Sequence, residues 1–128
     1  MPDYLLDTNV LVHAIRRKKN RWELLHQLVR SGGNLGCSVI TLGEIYAGMR
    51  PHEKERTEEL LAQFDEHDVT GEIARAAGAL KNEWATKGFV FTLPDMLIAA
   101  TALRHKLVLV TENRRDFVMP DLILYPLP

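Results

Sequence analysis

Short apolar runs that end abruptly on polar residues constrain the fold of this chain more than any other feature. Tyr4–Leu6 leads directly into Asp7, and the uninterrupted run Leu107–Val110 leads directly into Thr111. A short apolar run without alternation is typical of a parallel strand that is covered on both faces. The two runs therefore predict buried strands over residues 3–7 and Leu107–Val110.

Helical segments separate these strands along the chain. Helices are predicted from residue 8 to about Lys18, over residues 20–31, 40–50 and 53–64, around the apolar stripe Ile73, Ala77, Leu80 and Trp84, and from Asp95 onward. Further strands are predicted over Leu35–Val39, around His67–Val69 and, at the sheet edge, over Leu122–Leu124. This alternation predicts an α/β fold with three layers (α/β/α) and a central, mostly parallel β-sheet. Since 128 residues suffice for one core, a single domain over residues 1–128 is expected.

The overall charge of the chain does not favour nucleic acid. Sixteen basic residues oppose 17 acidic ones, which gives a net charge of −1. The positive charge is nevertheless concentrated in the segment RRKKNR, Arg16–Arg21. Such a run is usually a solvated loop or helix end, and otherwise a patch that contacts phosphate groups. Both interpretations stay open at the level of sequence.

A soluble, cytoplasmic protein is expected. No segment approaches the roughly 18 uninterrupted apolar residues of a membrane span. Asp3 and Asp7 interrupt what would be the apolar region of a signal peptide, so none is expected. A lone cysteine, Cys37, excludes an intrachain disulfide, and its apolar surroundings predict a buried thiol.

Acidic residues are placed close to the predicted strand ends, where open α/β sheets bind ligands. Asp7 ends the first strand, Asp116 follows the last central strand, Asp95 opens a buried helix, and Glu44 lies one turn into its helix. Taken singly, Asp7 and Asp95 could be helix caps and Asp116 an Asx turn. Glu44 is harder to explain structurally, because Ile40–Met49 is otherwise uncharged and an unpaired buried carboxylate is costly.

Taken together, these four acids indicate a metal site. They would repel one another unless cations lay between them, and carboxylate oxygen is the ligand that Mg²⁺ and Mn²⁺ prefer. The chain has no G-x-S-x-G elbow, no H-E-x-x-H zinc pair and no phosphate-binding G-x-x-x-x-G-K-[ST] loop, and its five histidines lack metal-ligand spacing. A carboxylate metal site can activate water and stabilise the leaving oxygen of a phosphodiester. Phosphodiester hydrolysis is the reaction that this set indicates.

Four segments resemble the motifs of PIN-domain ribonucleases, in particular the VapC-type toxins of toxin–antitoxin pairs. They are LLDTNVLV, the spacing S-x-x-T-x-x-E at Ser38, Thr41 and Glu44, PDMLIAATAL, and VTENRRDF. The resemblance spans positions 4–117, with all four motifs in the family's order. It implies a parallel sheet with helices on both faces and an endoribonuclease that needs one or two Mg²⁺ or Mn²⁺ ions.

The resemblance also implies roles for individual residues. Asp7, Glu44 and Asp95 match the family's metal-site acids, and Asp116 matches its more variable fourth acid. Some members carry an acid where this chain has Asn113, so the fourth role could fall to Asn113 or Asp116. The expectation is that Asp116 helps to hold a second metal or its waters, while Asn113 orients a neighbouring carboxylate.

Supporting residues and partners follow from the same resemblance. Asn9 and Thr111 match polar positions that hydrogen-bond the acids or phosphate. The candidate contacts to the RNA backbone are Arg16, Arg17, Lys18, Lys19 and Arg21. A homodimer is implied, together with a cognate antitoxin that covers the acidic groove. Operator DNA would be contacted only through the antitoxin, and no membrane is involved.

The leading hypothesis is therefore a metal-dependent endoribonuclease that acts as the toxin of a toxin–antitoxin pair. A non-catalytic PIN-like scaffold for RNA or protein is the alternative. A phosphotransferase of the haloacid-dehalogenase or receiver type also places an aspartate after its first strand. The first needs a D-x-D-x-T pattern, and this chain has Asn9 at the position of its second aspartate. The second needs a paired acid and a late lysine, neither of which is convincing here.

Overall fold

The computed structural model describes residues 3–128, in which strands and helices alternate along the chain. The strands are β1 (Asp3–Leu6), β2 (Asn34–Ser38), β3 (Asp65–His67) and β4 (Val108–Val110). The helices are α1 (Thr8–Ile15), α2 (Arg21–Arg30), α3 (Val39–Ala47), α4 (Lys54–Leu61), α5 (Gly71–Ala85) and α6 (Leu93–His105). Short 3-10 turns cover Pro51–Glu53 and Arg114–Asp116. The first two residues of the predicted domain lie outside the described range.

The strands form a parallel sheet in the order β3-β2-β1-β4. β1 is central, and its Leu5 is in register with Gly36 of β2 and Leu109 of β4. Because the strands are parallel, their carboxyl ends share one edge of the sheet. The residue after β1 is tied to the end of β4 at this edge, since the Asp7 N–H donates to the Val110 carbonyl at 2.9 Å.

Both faces of the sheet are covered by helices. Tyr4 and Leu6 point into one core, shared with α1, α2 and α4, whereas Leu5 points into the other, shared with α5 and α6. This alternation follows from the two-residue period of a strand, which sends successive side chains to opposite faces. The predicted three-layer α/β/α fold is confirmed, and the apolar character of β1 follows from burial on both sides.

The loop between α1 and α2 has an unusual backbone. α1 was predicted to reach about Lys18 but ends at Ile15, and Arg17, Lys19 and Asn20 adopt left-handed conformations with φ of 55°, 55° and 57°. These conformations are uncommon outside glycine and interrupt a right-handed helix. The basic segment is therefore mostly a turn rather than a helix end.

α6 begins two residues earlier than predicted. The sequence prediction placed its start at Asp95, but the helix begins at Leu93 and takes Pro94 into its first turn. Proline is tolerated there because the first helical N–H groups have no partner within the helix. Thr92 is the N-cap, and its hydroxyl oxygen accepts a hydrogen bond from the Asp95 N–H at 3.3 Å.

The strands at the two sheet edges differ from their predictions. β3 lies at residues 65–67 rather than 67–69, and its charged sequence lacks the apolar signal of a central strand. The predicted edge strand Leu122–Leu124 is reduced to one parallel bridge between Leu109 and Leu124. The Tyr125 N–H donates to the Leu109 carbonyl at 2.8 Å, so the segment still protects the outer edge of β4.

Cys37 is fully buried, as predicted. Burial is the main cause that raises the pKa of its thiol to about 12, with a smaller contribution from the charge of Glu66. Such a thiol is an inert core side chain rather than a nucleophile. In the part of the chain that the structure describes, no helix combines the length and the hydropathy needed to span a bilayer.

Candidate active site

Asp7 occupies the junction between β1 and α1. The strand ends at Leu6, one residue before the predicted end, and Asp7 is the N-cap of α1. Its side chain is 4% exposed. One carboxylate oxygen, Oδ1, accepts a hydrogen bond from the Thr8 N–H, and Oδ2 accepts one from the Thr111 hydroxyl, both at 2.8 Å. The helix-cap interpretation is thus correct, but it leaves each oxygen with a further lone pair for a ligand.

Thr111 fixes the orientation of Asp7 from the end of β4. Its side chain is 1% exposed and lies directly after the last residue of that strand. The same hydroxyl that donates to Asp7 accepts a hydrogen bond from the Asn113 N–H at 3.0 Å. Thr111 therefore couples the buried carboxylate to the segment that carries Asn113.

Glu44 reaches the site from α3 and is exposed, contrary to the burial considered from its apolar sequence neighbours. Its helix turns the glutamate towards solvent while Thr41 and Ile45 are buried. The Thr8 hydroxyl donates to Glu44 Oε1 at 2.6 Å, and the Thr41 hydroxyl lies 3.3 Å from the Thr8 hydroxyl. Thr8 therefore bridges α1 and α3. Its role was not predicted, although it lies inside the Asp7–Asn9 motif.

Asp95 and Asp116 approach from two further elements. Asp95 lies in the first turn of α6 and is half-buried. Asp116 is half-buried in the 3-10 turn after β4, and its N–H donates to the Asn113 carbonyl at 3.0 Å. The side chains of Asn113 and Asn9 are exposed, the latter at the second position of α1.

The charges of these acids act on one another. Burial is the main cause that raises the pKa of Asp7; the charges of Glu44 and Asp116 raise it further, and the hydrogen bonds from Thr111 and Thr8 oppose the rise. Burial also raises the pKa of Asp95, with the charges of Asp7, Asp116 and Glu44 adding to it and the contact with Thr92 opposing it. The four predicted acids therefore lie within electrostatic range of one another.

The donor set fits a hard divalent cation in chemistry. Carboxylate oxygens that repel one another are stabilised by a cation between them, and the exposed Glu44 has the freedom to turn towards it. As the side chains stand, however, no three acidic, histidine or cysteine residues within residues 3–128 are close enough to hold a metal ion. Binding of an ion by these acids would therefore require their side chains to move.

Most of the predicted phosphate-binding cations have partners within the protein. Arg16 donates to Glu53 at 2.9 Å, and the Arg17 guanidinium lies 3.5 Å from the centre of the Trp22 ring. The other contacts in this segment join Arg21 and Lys19 to Glu112, at 2.9 and 3.4 Å. Lys18 is exposed. Sequence reasoning missed the acids that face these cations, because they are distant in the chain.

Comparison with known proteins agrees with the fold and with the predicted family. The PIN domain family matches residues 4–119. Ribonuclease VapC2 of Haemophilus influenzae is 32% identical over 122 residues, which cover 91% of each chain. The structure of VapBC2 from Rickettsia felis bound to a DNA fragment from their promoter superposes with a TM-score of 0.85 at 26% identity, over 96% of this chain and 97% of that one.

A toxin-antitoxin complex from Klebsiella pneumoniae is also similar, with a TM-score of 0.78, 30% identity and coverage of 94% of this chain and 95% of that one. Both the family match and the coverage of these relatives extend over nearly the whole chain. The chain therefore belongs to the PIN-domain family, and within it to the VapC group.

Proposed function

We propose that this protein is a metal-dependent endoribonuclease and the toxin of a toxin–antitoxin pair. The observation that carries the proposal is the convergence of four carboxylates, from four separate elements, on the carboxyl edge of a parallel sheet. The relatives of this chain include ribonucleases of the VapC group, which supports the proposal.

The acids would hold one or two Mg²⁺ or Mn²⁺ ions. Asp7 is the most fixed of them, since both of its oxygens are already oriented by Thr8 and Thr111. Asp95, Glu44 and Asp116 would complete the ligand set. When bound, such ions activate water and offset the charge that develops on a phosphodiester.

The remaining polar residues would orient the acids and the substrate. The Thr111 hydroxyl donates to Asp7 and accepts a hydrogen bond from the backbone N–H of Asn113. The side-chain amide of Asn113 is exposed and would orient a neighbouring carboxylate. Asn9 presents an exposed amide beside Asp7, where it would donate to a phosphate oxygen.

The basic turn supplies the proposed contacts to the RNA backbone. The exposed Lys18 is the strongest candidate; Arg17 and Lys19 are also exposed, but Arg17 lies over Trp22 and Lys19 is 3.4 Å from Glu112. Arg16 and Arg21 are more deeply placed and paired with acids, so they would bind phosphate only by giving up those partners.

The partners are proposed from charge and similarity. An acidic groove favours a basic peptide, and the similar Rickettsia felis structure is a complex of VapBC2 with promoter DNA. We propose that a cognate antitoxin covers the acids with a basic segment and that DNA is contacted only through it. The protein is further proposed to be a cytoplasmic homodimer and a single domain.

Cleavage of a panel of labelled, structured RNAs by antitoxin-free protein tests this function. The panel is incubated with Mn²⁺, with EDTA, and with the variant Asp7→Asn. Asp121→Asn is the matched control, because Asp121 lines a cavity with Lys106 at the carboxyl end of α6, whereas Asp95 lies in the first turn of that helix. Cleavage that requires both the metal and Asp7 supports the proposal. RNA binding without cleavage under any condition would favour the non-catalytic scaffold.

A further inference from the structure

Glu112 is an acid beside the candidate site that is surrounded by cations. Its Oε2 accepts a hydrogen bond from Arg21 Nε at 2.9 Å and lies 2.9 Å from His13 Nδ1. Its Oε1 accepts a hydrogen bond from Lys19 Nζ at 3.4 Å. The Glu112 side chain is 11% exposed and that of Arg21 is 8% exposed, so this pair is largely buried, whereas His13 is 24% and Lys19 58% exposed.

The cluster joins elements that are distant in the chain. His13 belongs to α1, whose N-cap is Asp7, while Arg21 opens α2 and Lys19 lies in the strained turn between the two helices. Glu112 lies in the segment that leaves β4. Left-handed residues such as Lys19 persist only where the surrounding contacts hold them, and Glu112 supplies such contacts on both sides of the turn.

The immediate neighbours of Glu112 are residues of the site. Thr111 donates to Asp7 Oδ2, the Asn113 N–H donates to Thr111, and the Asn113 carbonyl accepts from the Asp116 N–H. These three hydrogen bonds run along one short segment. Glu112 is the residue that anchors this segment to α1 and α2.

We propose that Glu112 is a positioning residue of the candidate active site: by anchoring its segment to α1 and α2, it holds the Thr111 hydroxyl on Asp7. The inference rests on the proposed endoribonuclease function. It assigns to Glu112 no contact with substrate, since both of its carboxylate oxygens are engaged by cations of the protein.

The energetics distinguish this cluster from an ordinary surface ion pair. Burial by itself would raise the pKa of Glu112, but the hydrogen bonds from Arg21 and His13 outweigh it and leave the pKa below its usual value. Exposed pairs contribute little to stability, whereas the loss of one partner from a buried pair leaves an uncompensated charge. Removal of the Glu112 carboxylate should therefore loosen the whole segment.

The proposal predicts that loss of Glu112 lowers kcat without raising KM. Loss of Glu112 would disturb Asp7 through Thr111 and lower kcat. It would also release Lys19 and Arg21, two cations that could then attract RNA, so KM would stay the same or fall. A smaller folded fraction would also lower the apparent kcat at unchanged KM, so kcat is expressed per folded molecule and compared with that of a control variant that is destabilised elsewhere.

The test uses the full chain with the variants Glu112→Ala and Glu112→Gln. Since residues behind metal ligands typically contribute 10- to 100-fold to activity, Glu112→Ala should lower kcat by about 10-fold without raising KM. Glu112→Gln keeps an acceptor for Arg21 Nε and should recover part of kcat. Glu53→Gln is the matched control, because Glu53 is also buried and accepts from an arginine Nε at 2.9 Å, but in the pair with Arg16. It should leave kcat unchanged below its melting temperature.

A second readout needs no RNA. Amide hydrogen exchange at Thr8 and Asn113, whose N–H groups donate to Asp7 and Thr111, should accelerate in the Glu112 variants and not in Glu53→Gln. Unchanged exchange together with unchanged kcat in folded Glu112→Ala or Glu112→Gln would overturn the proposal, as would an equal loss of kcat in Glu53→Gln. Wild-type protein that cleaves no RNA would overturn the proposed function instead, and the exchange rates would then decide the role of Glu112 on their own.

Discussion

Two buried carboxylates in this protein, Asp7 and Glu53, have opposite electrostatic surroundings. Asp7 is 4% exposed and faces hydroxyl groups and other acids, and its pKa is raised, chiefly by burial. Glu53 is 3% exposed and accepts from Arg16 Nε at 2.9 Å and from the Arg50 N–H at 3.0 Å. These hydrogen bonds, that of Arg16 first, lower its pKa to about 2.

The comparison shows that burial alone does not identify a functional acid. Glu53 has its counter-charge within the protein, so its ionised form stabilises the fold. Asp7 has only dipolar donors and like charges, so its ionised form needs a cation from outside. The protein keeps an unfavourable carboxylate at the sheet edge where a ligand site is expected.

The largest effect is expected for Asp7→Asn. Asparagine is as good a helix cap as aspartate and removes the repulsion, so the fold should be retained. RNA cleavage should fall by more than about 100-fold, because even residues behind metal ligands contribute 10- to 100-fold. Cleavage rates and thermal melting curves of the variant and the wild type check this. Full activity in the folded variant would remove Asp7 from the proposed site.

The opposite result is expected for Glu53→Gln. Loss of the Glu53 charge removes the attraction between the buried carboxylate and the counter-charge of Arg16, so the free energy of unfolding should fall by about 2 kcal/mol while cleavage is unchanged. Urea denaturation and cleavage rates measured side by side check this. If Glu53→Gln lost activity without losing stability, Glu53 would be a functional acid rather than a structural one.

The pH dependence sharpens the same contrast. Because the pKa of folded Glu53 is about 2 against an ordinary 4.5, its contribution to stability is complete above about pH 5 and is lost as the pH falls towards 2. The stability difference between wild type and Glu53→Gln should therefore shrink over this window. For Asp7 the shift is upward, so in EDTA its ionisation should reduce stability as the pH rises. Urea melts at several pH values measure both trends.

The smallest effect is expected for Lys18, an exposed cation of the basic turn. If Lys18 contacts one RNA phosphate, Lys18→Ala should reduce the slope of log K against log salt by roughly 0.7 for a single strand. Binding is measured in the Asp7→Asn background so that no RNA is cut. An unchanged slope would show that Lys18 is a solvated side chain that does not contact RNA.

The central strands were predictable from sequence, and the prediction of the acids rests on a related reason. β1 and β4 are covered on both faces, so burial leaves a continuous apolar signal, and parallel strands place the polar residues that follow them at one edge. The side chain of Glu44 was less predictable, because an apolar helix sequence does not fix which face meets solvent. The edge strand β3 was shifted because charged residues carry no such signal.

The cluster around Glu112 could not be predicted from sequence. Its contacts to His13 and Arg21 join positions separated by 99 and 91 residues. Within a basic run, each cation is equally consistent with solvent, phosphate or an internal acid. Only the tertiary fold shows that Arg21 turns inward while Lys18 remains exposed.

Direct titration with Mn²⁺ tests the central claim, that the four acids form one cation site. Binding is measured by calorimetry for the wild type, Asp7→Asn, Asp95→Asn and the control Asp121→Asn, with folding verified for each. We expect binding to the wild type and the control and a loss of affinity of at least about 10-fold in both site variants. Equal affinity in all four proteins would contradict this claim. It would mean that the raised pKa of Asp7 is unrelated to metal binding.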